Sequence, residues 1–390
     1  IMPSILLYDF LNAYIQHDLI SALTETGFRC HNIPARGILK DKYHDEAFSA
    51  RIKQDLSEGD YSCIITANFY PIVAKACYDN NLPYLAWIYD SPPDLPTTEG
   101  MDYPTNYLFF FSKTDWEKYA RLGLPAYHLP LAVNVKRLST ILPNHEKYGA
   151  QVSLVGNLYS DSVLPILQDQ MNDYQKGFTD ALLNLTQKLY GAYVLDEAVT
   201  KEFVAAVQRE FQKGPLSYLK PTRSELAWAI ASEATYEERL TLLRLMGDRY
   251  DTALYCGRIN DTIRKILDNV SIRSHVDYLA EMPQVFKSSD INLCPVLKAN
   301  IGGIPLRALD IMGCRAFLLS SYQPALAEVF QNGEEIVFYE SIEEATEIAG
   351  FYLKHPEERE RIAENGFQRI VQDFRYEDRV KAMLKTIGMI

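Results

Sequence analysis

Short apolar runs alternate with helix-like segments along most of this chain, and this alternation constrains the fold more than any other feature of the sequence. Apolar runs bounded by turn residues predict buried strands, and the segments between them carry apolar residues at helical spacing. Strands that alternate with helices in this way join into parallel β-α-β units. The predicted elements of the first part are Ser4–Tyr8, Ala13–Thr26, Cys63–Thr66, Pro71–Asp79, Tyr84–Ile88, Thr114–Leu122 and Ala126–Leu129. The sequence therefore predicts an α/β fold with parallel sheets.

A second alternating series begins at Gln151–Val155, after a polar segment, residues 130–149, that we interpret as an interdomain linker. A stretch rich in helix-forming residues, Leu164–Ala234, interrupts this series and predicts a helical insertion. The predicted elements that follow are Tyr236–Leu245, Thr252–Cys256, Asp261–Leu267, Val270–His275, a capped helix from Ser341 to Leu353, and Pro356–Asn365. A chain of 390 residues is long for one core. We therefore expect two domains, 1–138 and 150–375, with the insertion at about 161–235 and a final helix in 376–390.

Composition and charge exclude several classes of protein. The chain is 47% hydrophobic and 23% charged, which is typical of a globular protein. Its net charge is −12 and it has no basic run, so we expect neither nucleic acid nor an anionic membrane surface as the main partner. No apolar run approaches the roughly 20 residues that span a bilayer, and the six cysteines are scattered without a C-x-x-C pair. We therefore predict a cytoplasmic protein without a membrane segment, a zinc site or a disulfide framework.

The strongest functional signal is the segment SDINLCPVLKANIGGIPLRALDIMGCRAFLLS, from Ser289 to Ser320. It predicts a strand at Ile291–Val296, a sharp turn at Gly302 and Gly303, and a helix that begins at Pro305. The unpaired N–H groups at the start of a helix carry a partial positive charge and bind phosphates. The turn is therefore a candidate site for a nucleoside diphosphate.

Arg307 and Asp310 lie on one face of this predicted helix, because they are three residues apart. A guanidinium binds diphosphate oxygens through two hydrogen bonds, and a carboxylate accepts hydrogen bonds from ribose hydroxyls. We expect the helix to end at Gly313 and an apolar strand to resume at Ala316–Leu319. An alternative stays open, in which Arg307 and Asp310 form a surface ion pair and the glycines serve ordinary turns.

Three further residues follow the first predicted strand of the second domain, namely Gly156, Asn157 and Tyr159. Ligand crevices of α/β proteins form at the carboxyl ends of their strands, which is where these residues lie in the predicted fold. They are candidates for a ligand contact or an interdomain contact, and an ordinary turn explains them equally well.

Several segments match one known family in order along the chain. They are SLVGN at Ser153–Asn157, Arg239 with the YDTALYCGR strand, HVDYLAEMPQVFKSSDINL at His275–Leu293, the IPLRALDIMGC helix, and the run from FQNGEEIVFYESIEEA to Tyr376-x-x-Arg379. In these segments the chain resembles the CgeB-like (spore maturation protein B type) glycosyltransferases. LPYLAWIYDSPPD at Leu82–Asp94 and YHLPLA at Tyr127–Ala132 are similar to the acceptor-side domain of that family. The resemblance implies the GT-B fold, with two facing Rossmann-like domains and a last helix that packs back on the N-terminal domain.

The resemblance also implies where a nucleotide-sugar donor binds, with a UDP-sugar favoured. The implied contacts are His275, Val276 and Tyr278 for the base, and Asn300, Ile301, Gly302, Gly303, Ile304 and Arg258 for the diphosphate. The family usually carries glutamate where this chain has Asp310, so a ribose contact there has a shorter reach. Two alternatives stay open, in which Tyr278 packs in the core and Arg258 is a solvated loop cation.

The implied reaction needs neither a metal nor a cofactor. Helix N–H groups and arginines can stabilise the negative charge that the nucleoside diphosphate gains as it leaves. The sequence also lacks the Asp-x-Asp pair with which GT-A glycosyltransferases typically bind manganese. We therefore predict a metal-independent glycosyltransferase that acts on a hydroxyl acceptor, which is a protein, a glycan or another molecule. A nucleotide-sugar epimerase or hydrolase of the same fold, and a non-catalytic nucleotide-sugar-binding or docking protein, are the competing functions.

An inverting transfer also needs a base that deprotonates the acceptor hydroxyl. Asp90 follows the apolar Tyr84–Tyr89 run and precedes two prolines, which predicts a carboxylate held at the mouth of a crevice. His17 lies near the start of the first predicted helix, and histidine titrates near neutrality. The alternatives are a turn aspartate at position 90 and a surface histidine at position 17. A retaining mechanism would need no such base.

Overall fold

The computed structural model describes residues 3–11, 15–93, 95, 97–257 and 259–390. These residues divide into two compact units. The first unit comprises Ile1–Leu138, Gly302–Leu309 and Arg369–Ile390, and the second comprises Ser139–Ile301 and Asp310–Gln368. The described residues contain two six-stranded parallel sheets, one built from the first six strands and one from the last six.

Strands and helices alternate along the chain, as the sequence predicts. The elements up to residue 148 are β1 (Ser4–Asp9), α1 (Ile15–Glu25), β2 (Arg29–Pro34), α2 (Glu46–Ser57), β3 (Tyr61–Ala67), α3 (Pro71–Asp79), β4 (Tyr84–Ile88), β5 (Asn106–Phe110), α4 (Lys113–Arg121), β6 (Ala126–His128), α5 (Val135–Thr140) and α6 (His145–Tyr148). The later elements are β7 (Ala150–Val155), α7 (Leu164–Asp169), α8 (Asp173–Lys188), α9 (Leu195–Ala198), α10 (Lys201–Phe211), α11 (Arg223–Gly247), β8 (Thr252–Tyr255), α12 (Asp261–Ile266), β9 (Val270–Arg273), α13 (Met282–Ser288), β10 (Ser289–Cys294), α14 (Leu306–Gly313), β11 (Leu318–Ser321), α15 (Pro324–Ala327), β12 (Val337–Tyr339), α16 (Ile342–Lys354), α17 (Pro356–Asp373) and α18 (Tyr376–Thr386). The α/β fold class is thereby confirmed.

The first sheet has the strand order β2-β1-β3-β4-β5-β6. Its central strands β3 and β4 are paired in parallel, with Ile64 opposite Tyr84 and Ile65 opposite Leu85, and all four residues are fully buried. Strands of a parallel sheet are buried on both faces because helices cover both faces. The chain places β2 on one side of β1 and β3 on the other, so the strand order reverses between β1 and β3. Open α/β sheets bind ligands at such a reversal, outside the carboxyl ends of the strands.

The second sheet repeats this arrangement with the order β12-β11-β10-β7-β8-β9. Here β8 and β9 lie on one side of β7, and β10 to β12 lie on the other. Strands β7 and β10 pair in parallel, with Val152 opposite Ile291 and Leu154 opposite Leu293, and these four side chains are buried. The strand order therefore reverses between β7 and β10, which predicts a ligand crevice at their carboxyl ends.

The helical insertion is present in the second unit and consists of α7 to α10 and the first half of α11. It has its own apolar core, which includes Leu195, Val207, Phe211 and Ile230. The prediction of a separate helix at Tyr236–Leu245 is wrong, because α11 runs unbroken for 25 residues from Arg223. Its second half packs on the sheet through Leu242, Leu243 and Met246. The sequence suggested a boundary because the buried face of α11 serves two different cores.

Eight elements were not predicted, namely β2, α2, β5, α5, α6, α13, α15 and β12. Strand β2 is at the edge of its sheet and its residues are only half-buried or exposed. Helix α2 buries only Phe48 and Ile52. Strand β5 begins with a polar residue, Asn106, and β12 has only three residues. The segment interpreted as a linker, 130–149, contains the short helices α5 and α6.

The sequence predicts neither a membrane segment nor a disulfide framework, and the described residues bear on both. No helix among them is long and apolar enough to cross a membrane. All six cysteines are free thiols, and five of them are buried. Burial raises the pKa of the Cys63 thiol to about 12, so this thiol behaves as a small apolar side chain.

Helix α18 belongs to the first unit and packs against α1. Its buried stripe contains Val380, Met383 and Leu384, all fully buried, as their three- and four-residue spacing predicts. The remaining residue of the predicted stripe, Ile387, lies just past the end of the helix and is half-buried.

We expect the Leu384→Ala variant to unfold at a lower temperature or denaturant concentration than the wild type. Removing a fully buried leucine side chain costs about 2–5 kcal/mol, from lost burial and from the cavity that remains. Lys381→Ala is the matched control on the exposed face of the same helix. Equal unfolding midpoints for the two variants would show that α18 does not stabilise the first unit.

Candidate active site

A cavity of about 90 Å³ opens at the strand-order reversal of the first sheet. Its lining comes from the carboxyl ends of β1, β3 and β4, and includes Leu11, Asn68, Tyr70, Ile88 and Asp90. The predicted catalytic residue Asp90 is therefore at the crevice that the topology of this sheet creates. Lys42, which lies between β2 and α2, adds a cation to the same cavity.

The carboxylate of Asp90 is held by a side chain that the sequence did not single out. Asn68 Nδ2 donates a hydrogen bond of 2.7 Å to Asp90 Oδ2. The next residue, Ser91, donates from its hydroxyl to Asp115 Oδ2 at 2.6 Å, and Asp115 lies in the first turn of α4. Asp90 is exposed, so its carboxylate can be reached from solvent while the chain on either side of it is fixed.

His17, the second predicted catalytic residue, lies elsewhere in the first unit. It is on α1, its side chain is 60% exposed, and it is not one of the described residues that line the Asp90 cavity. Its neighbour Asp18 is fully buried and accepts hydrogen bonds of 2.9 and 2.7 Å from Arg137. The structure therefore does not bring the two predicted bases together in one cavity.

In the second unit, Arg239 of α11 lies at the strand-order reversal. Its guanidinium donates hydrogen bonds to the backbone carbonyl of Asn157, which follows β7, and to that of Pro295, which follows β10. It also lies over the ring of Tyr159, 5.1 Å from the ring centroid. A single cation thus joins the carboxyl ends of the two strands between which the order reverses. Arg239 was noted in the sequence only as part of a matched segment, because an arginine inside a helical pattern gives no signal of its own.

The predicted residues Asn157 and Tyr159 form the turn after β7. Asn157 Oδ1 accepts a hydrogen bond of 2.8 Å from the Tyr159 backbone N–H. Tyr159 has a φ of 62°, a left-handed conformation that is uncommon for an aromatic residue. Backbone strain of this kind concentrates at functional sites. Asn157 is exposed and Tyr159 is half-buried, so both side chains remain accessible at the crevice.

A buried ionic cluster lies beside this crevice. Lys298 follows β10, and its Nζ is 3.1 Å from Glu238 Oε2 of α11, with the two side chains only 9% and 1% exposed. The Tyr190 hydroxyl donates to Glu238 Oε1 at 3.1 Å, and Lys298 Nζ lies 3.8 Å from the Tyr190 ring centroid. Burial and the charge of Glu238 raise the pKa of Tyr190. The cluster fixes the loop after β10 to α11 and to the end of α8.

The residues expected to bind the base and the ribose are in the second unit. Tyr278 is buried, and its hydroxyl donates a hydrogen bond of 2.8 Å to Asp310 Oδ1, which is also buried. Val276 is buried and His275 is exposed. Tyr278 and Asp310 are thus hydrogen-bonded to each other. Packing of Tyr278 in the core does not exclude a donor site next to it, so both interpretations of this residue fit its position.

The glycine turn before α14 is tightly packed within the first unit. The Gly302 carbonyl accepts a hydrogen bond of 2.9 Å from the Lys113 backbone N–H. A Cβ at Gly302 would collide with Thr114, and one at Gly303 would collide with the ring of Phe111. Close packing therefore requires glycine at both positions, independently of any phosphate.

Helix α14 begins at Leu306, one residue after the predicted start at Pro305, whose carbonyl accepts the first hydrogen bond. It ends at Gly313 as predicted, and the left-handed residue that follows is Arg315, with a φ of 55°. The remaining predicted diphosphate contacts differ in exposure. Asn300, Ile301 and Arg307 are half-buried and Ile304 is buried, whereas Arg258 lies outside the described residues.

Comparison with known proteins extends these observations. Residues 228–385 match the model of a family described as glycosyl transferase-like. Similar solved structures include a glycosyltransferase from Rickettsia africae, with a TM-score of 0.61, 10% identity, and coverage of 98% of this chain and 97% of that chain. Sucrose-phosphate synthase from Thermosynechococcus elongatus gives 0.57 and 11% over 99% and 98%. Anabaena HepE in complex with UDP and glucose gives 0.56 and 10% over the whole of both chains. No protein with curated annotation matches the sequence significantly.

These comparisons confirm the GT-B fold, because the similar structures are GT-B glycosyltransferases that align over nearly the entire chain. The family match places a glycosyltransferase-type region over 228–385, which contains Arg239, Tyr278 and Asp310. The prediction of a glycosyltransferase is thereby confirmed. The CgeB-like subtype stays a prediction.

We expect the Glu238→Gln variant to be markedly less stable than the wild type. Gln preserves the shape of the side chain but leaves Lys298 as a buried cation without a counter-charge, which costs about 3–5 kcal/mol for a buried pair. The readout is the midpoint of chemical unfolding followed by circular dichroism. Glu233→Gln, on the same helix and without a lysine partner in the described residues, is the control. Similar midpoints for the two variants would contradict a stabilising role for the cluster.

Proposed function

We propose that this protein is a metal-independent glycosyltransferase that moves a sugar from a UDP-sugar to a hydroxyl group of a protein or glycan acceptor. The observation that carries this proposal is that the glycosyl transferase-like region, residues 228–385, supplies strand β10 and the bridging Arg239 at the reversal of strand order in the second sheet. The choice of UDP is supported by the UDP and UDP-glucose complexes of the structurally similar Anabaena HepE.

The donor side of the site is proposed to lie along the second sheet and helix α14. In this proposal the base lies near His275, Val276 and Tyr278, with Asp310 as the ribose partner. Arg307, in the first turn of α14, neutralises charge on the diphosphate together with the N–H groups of that turn. Arg258, which comes three residues after the end of β8 in the sequence, is proposed as a further cation. The turn residues Asn157 and Tyr159 are the remaining residues proposed for the donor side.

The acceptor side is proposed to be the Asp90 cavity of the first unit. Asp90 accepts the proton of the acceptor hydroxyl, and the resulting oxygen nucleophile forms a bond to the anomeric carbon. The bond from that carbon to the diphosphate oxygen breaks, and its electron pair leaves with UDP. Cations and helix N–H groups stabilise the charge that UDP gains, so that no metal ion is required in this scheme. This course inverts the anomeric centre.

The experiment that tests the proposal measures UDP released from a panel of UDP-sugars, with excess chelator, in the presence and absence of cell extract. A transferase releases UDP with a strong dependence on the extract, because the extract contains the acceptor. A hydrolase releases UDP without extract, and a binding protein releases none. Loss of release in chelator, restored by manganese or magnesium, would refute the metal-independent scheme.

We expect Asp90→Asn to lower the rate of acceptor-dependent UDP release by about 10²–10⁴-fold, which is the usual contribution of a general base. The substitution preserves the shape of the side chain, so the dissociation constant for UDP should stay near the wild-type value. His17→Ala is the competing variant. Wild-type turnover in Asp90→Asn together with loss in His17→Ala would move the base to His17, and full activity in both would favour a retaining mechanism.

We expect Arg307→Ala to weaken UDP binding by about 1.5–3 kcal/mol, the contribution of a charge-assisted hydrogen bond. Isothermal titration calorimetry with UDP measures this change directly. Arg209→Ala, which removes an exposed arginine from the insertion, is the matched control and should bind UDP normally. An unchanged dissociation constant in Arg307→Ala would remove Arg307 from the donor site.

A further inference from the structure

Asn68 has a backbone conformation that its surroundings impose on it. Its φ is 64°, in the left-handed region that non-glycine residues seldom occupy. Asparagine tolerates this region better than most residues, yet the conformation still has an energetic cost. Such a residue persists only where neighbouring contacts hold it, and these sites concentrate where function needs a side chain in an unusual direction.

Four hydrogen bonds hold Asn68 at the carboxyl end of β3. Two of them involve its backbone, where the N–H donates to the Trp87 carbonyl at 2.8 Å and the carbonyl accepts from Thr66 Oγ1 at 2.6 Å. The other two involve its side chain, where Oδ1 accepts from the Tyr89 backbone N–H at 2.9 Å and Nδ2 donates to Asp90 Oδ2 at 2.7 Å. The side chain therefore bridges from β3 to the residues directly after β4.

The backbone part of this arrangement is anchored in the core. The Thr66 hydroxyl lies 2.7 Å from the hydroxyl of Tyr84, which also accepts a hydrogen bond of 3.0 Å from the Tyr70 backbone N–H. Tyr84 is fully buried, and this burial raises its pKa, so its hydroxyl stays protonated. Buried groups thus fix the backbone of Asn68, and the residue itself lines the cavity.

From these contacts we infer that Asn68 is the positioning residue of Asp90. Its Nδ2 group sets the orientation of the Asp90 carboxylate and, as a hydrogen-bond donor, stabilises the ionised form that can accept a proton. Glycine would adopt the same backbone conformation without cost but would supply no donor, and this explains why an asparagine occupies the position. The inference deepens the proposed function and rests on the role proposed there for Asp90.

Other groups near Asp90 also influence its charge. Among the described residues that line the cavity with it, Lys42 and Tyr70 are titratable, and Tyr89 precedes it directly in the chain. Lys42 favours an ionised carboxylate, as does the amide of Asn68. An experiment on Asn68 must therefore leave these three groups unchanged, which single substitutions at position 68 do.

The test compares Asn68→Gly and Asn68→Asp with the wild type. Asn68→Gly keeps the left-handed backbone and removes the side chain, whereas Asn68→Asp keeps the acceptor oxygen and replaces the donor with a like charge. The matched control is Asn81→Gly, because Asn81 also has a positive φ, 51°, and follows the end of α3 without a side-chain contact to Asp90 among the described residues. Thermal unfolding shows whether each variant is folded.

The first readout does not depend on activity. In protein labelled with 13C-aspartate, the carboxyl signal of Asp90 is assigned by its absence in Asp90→Asn, and its titration midpoint is followed by NMR. We expect the midpoint to move to higher pH in Asn68→Gly and further in Asn68→Asp, and to stay unchanged in Asn81→Gly. An unmoved midpoint in both Asn68 variants overturns the inference.

The second readout is acceptor-dependent UDP release across pH. We expect Asn68→Gly to lose about tenfold or more in kcat, the effect of losing one hydrogen bond to a charged group, with the KM for the UDP-sugar unchanged. The acidic limb of the pH profile should move to higher pH in Asn68→Asp, which a purely structural role would not produce. The two readouts separate the two claims. A shifted NMR midpoint supports the contact between Asn68 and Asp90, whatever the turnover of Asp90→Asn. Full turnover in Asp90→Asn would refute the proposed role of Asp90 as the base, but not this contact.

Discussion

Reversal of strand order in a parallel sheet is the constraint on which both candidate sites depend. When the chain adds strands on one side of a starting strand and then on the other, the connections at the carboxyl ends diverge and leave a crevice. In the first sheet the reversal lies between β1 and β3, and the cavity with Asn68 and Asp90 is there. In the second it lies between β7 and β10, and Arg239 joins the two strand ends. No side chain has to create these crevices, because the topology does so.

Much of the fold could be predicted because the central strands are apolar along their whole length. The predicted strand Tyr84–Ile88 agrees with β4 to the residue, since burial on both faces of the sheet leaves an unbroken apolar run with turn residues at its ends. The predicted helix Pro71–Asp79 also agrees with α3 to the residue. Edge strand β2 could not be found in this way, because solvent covers part of it and its sequence, RCHNIP, is mostly polar. Helix α11 was divided wrongly, since periodicity alone does not show which core a buried face contacts.

The candidate site was also only partly predictable from the sequence. Asp90 could be proposed from its place after an apolar strand, because the carboxyl end of a parallel strand is a definite location in the fold. Asn68 follows another apolar strand, but its importance lies in a left-handed backbone and in two side-chain hydrogen bonds to residues 21 and 22 positions away. The pairing of Tyr278 with Asp310, and of Lys298 with Glu238, likewise joins residues distant in sequence. Contacts of this kind depend on the register of the folded sheets, and a single sequence does not encode them as a local pattern.

Helix α11 has a consequence for how the second unit folds. It spans about 37 Å at the usual rise per residue, and its two halves belong to different apolar cores, Leu226 and Ile230 to that of the insertion and Leu242 and Met246 to that of the sheet. Neither core can melt while the other keeps this helix intact along its length, so the insertion and the sheet should open and close as one cooperative foldon. An appendage joined through loops would exchange its amide hydrogens independently of its host. This one shares a backbone element with its host, so its amide protection is tied to that of the sheet.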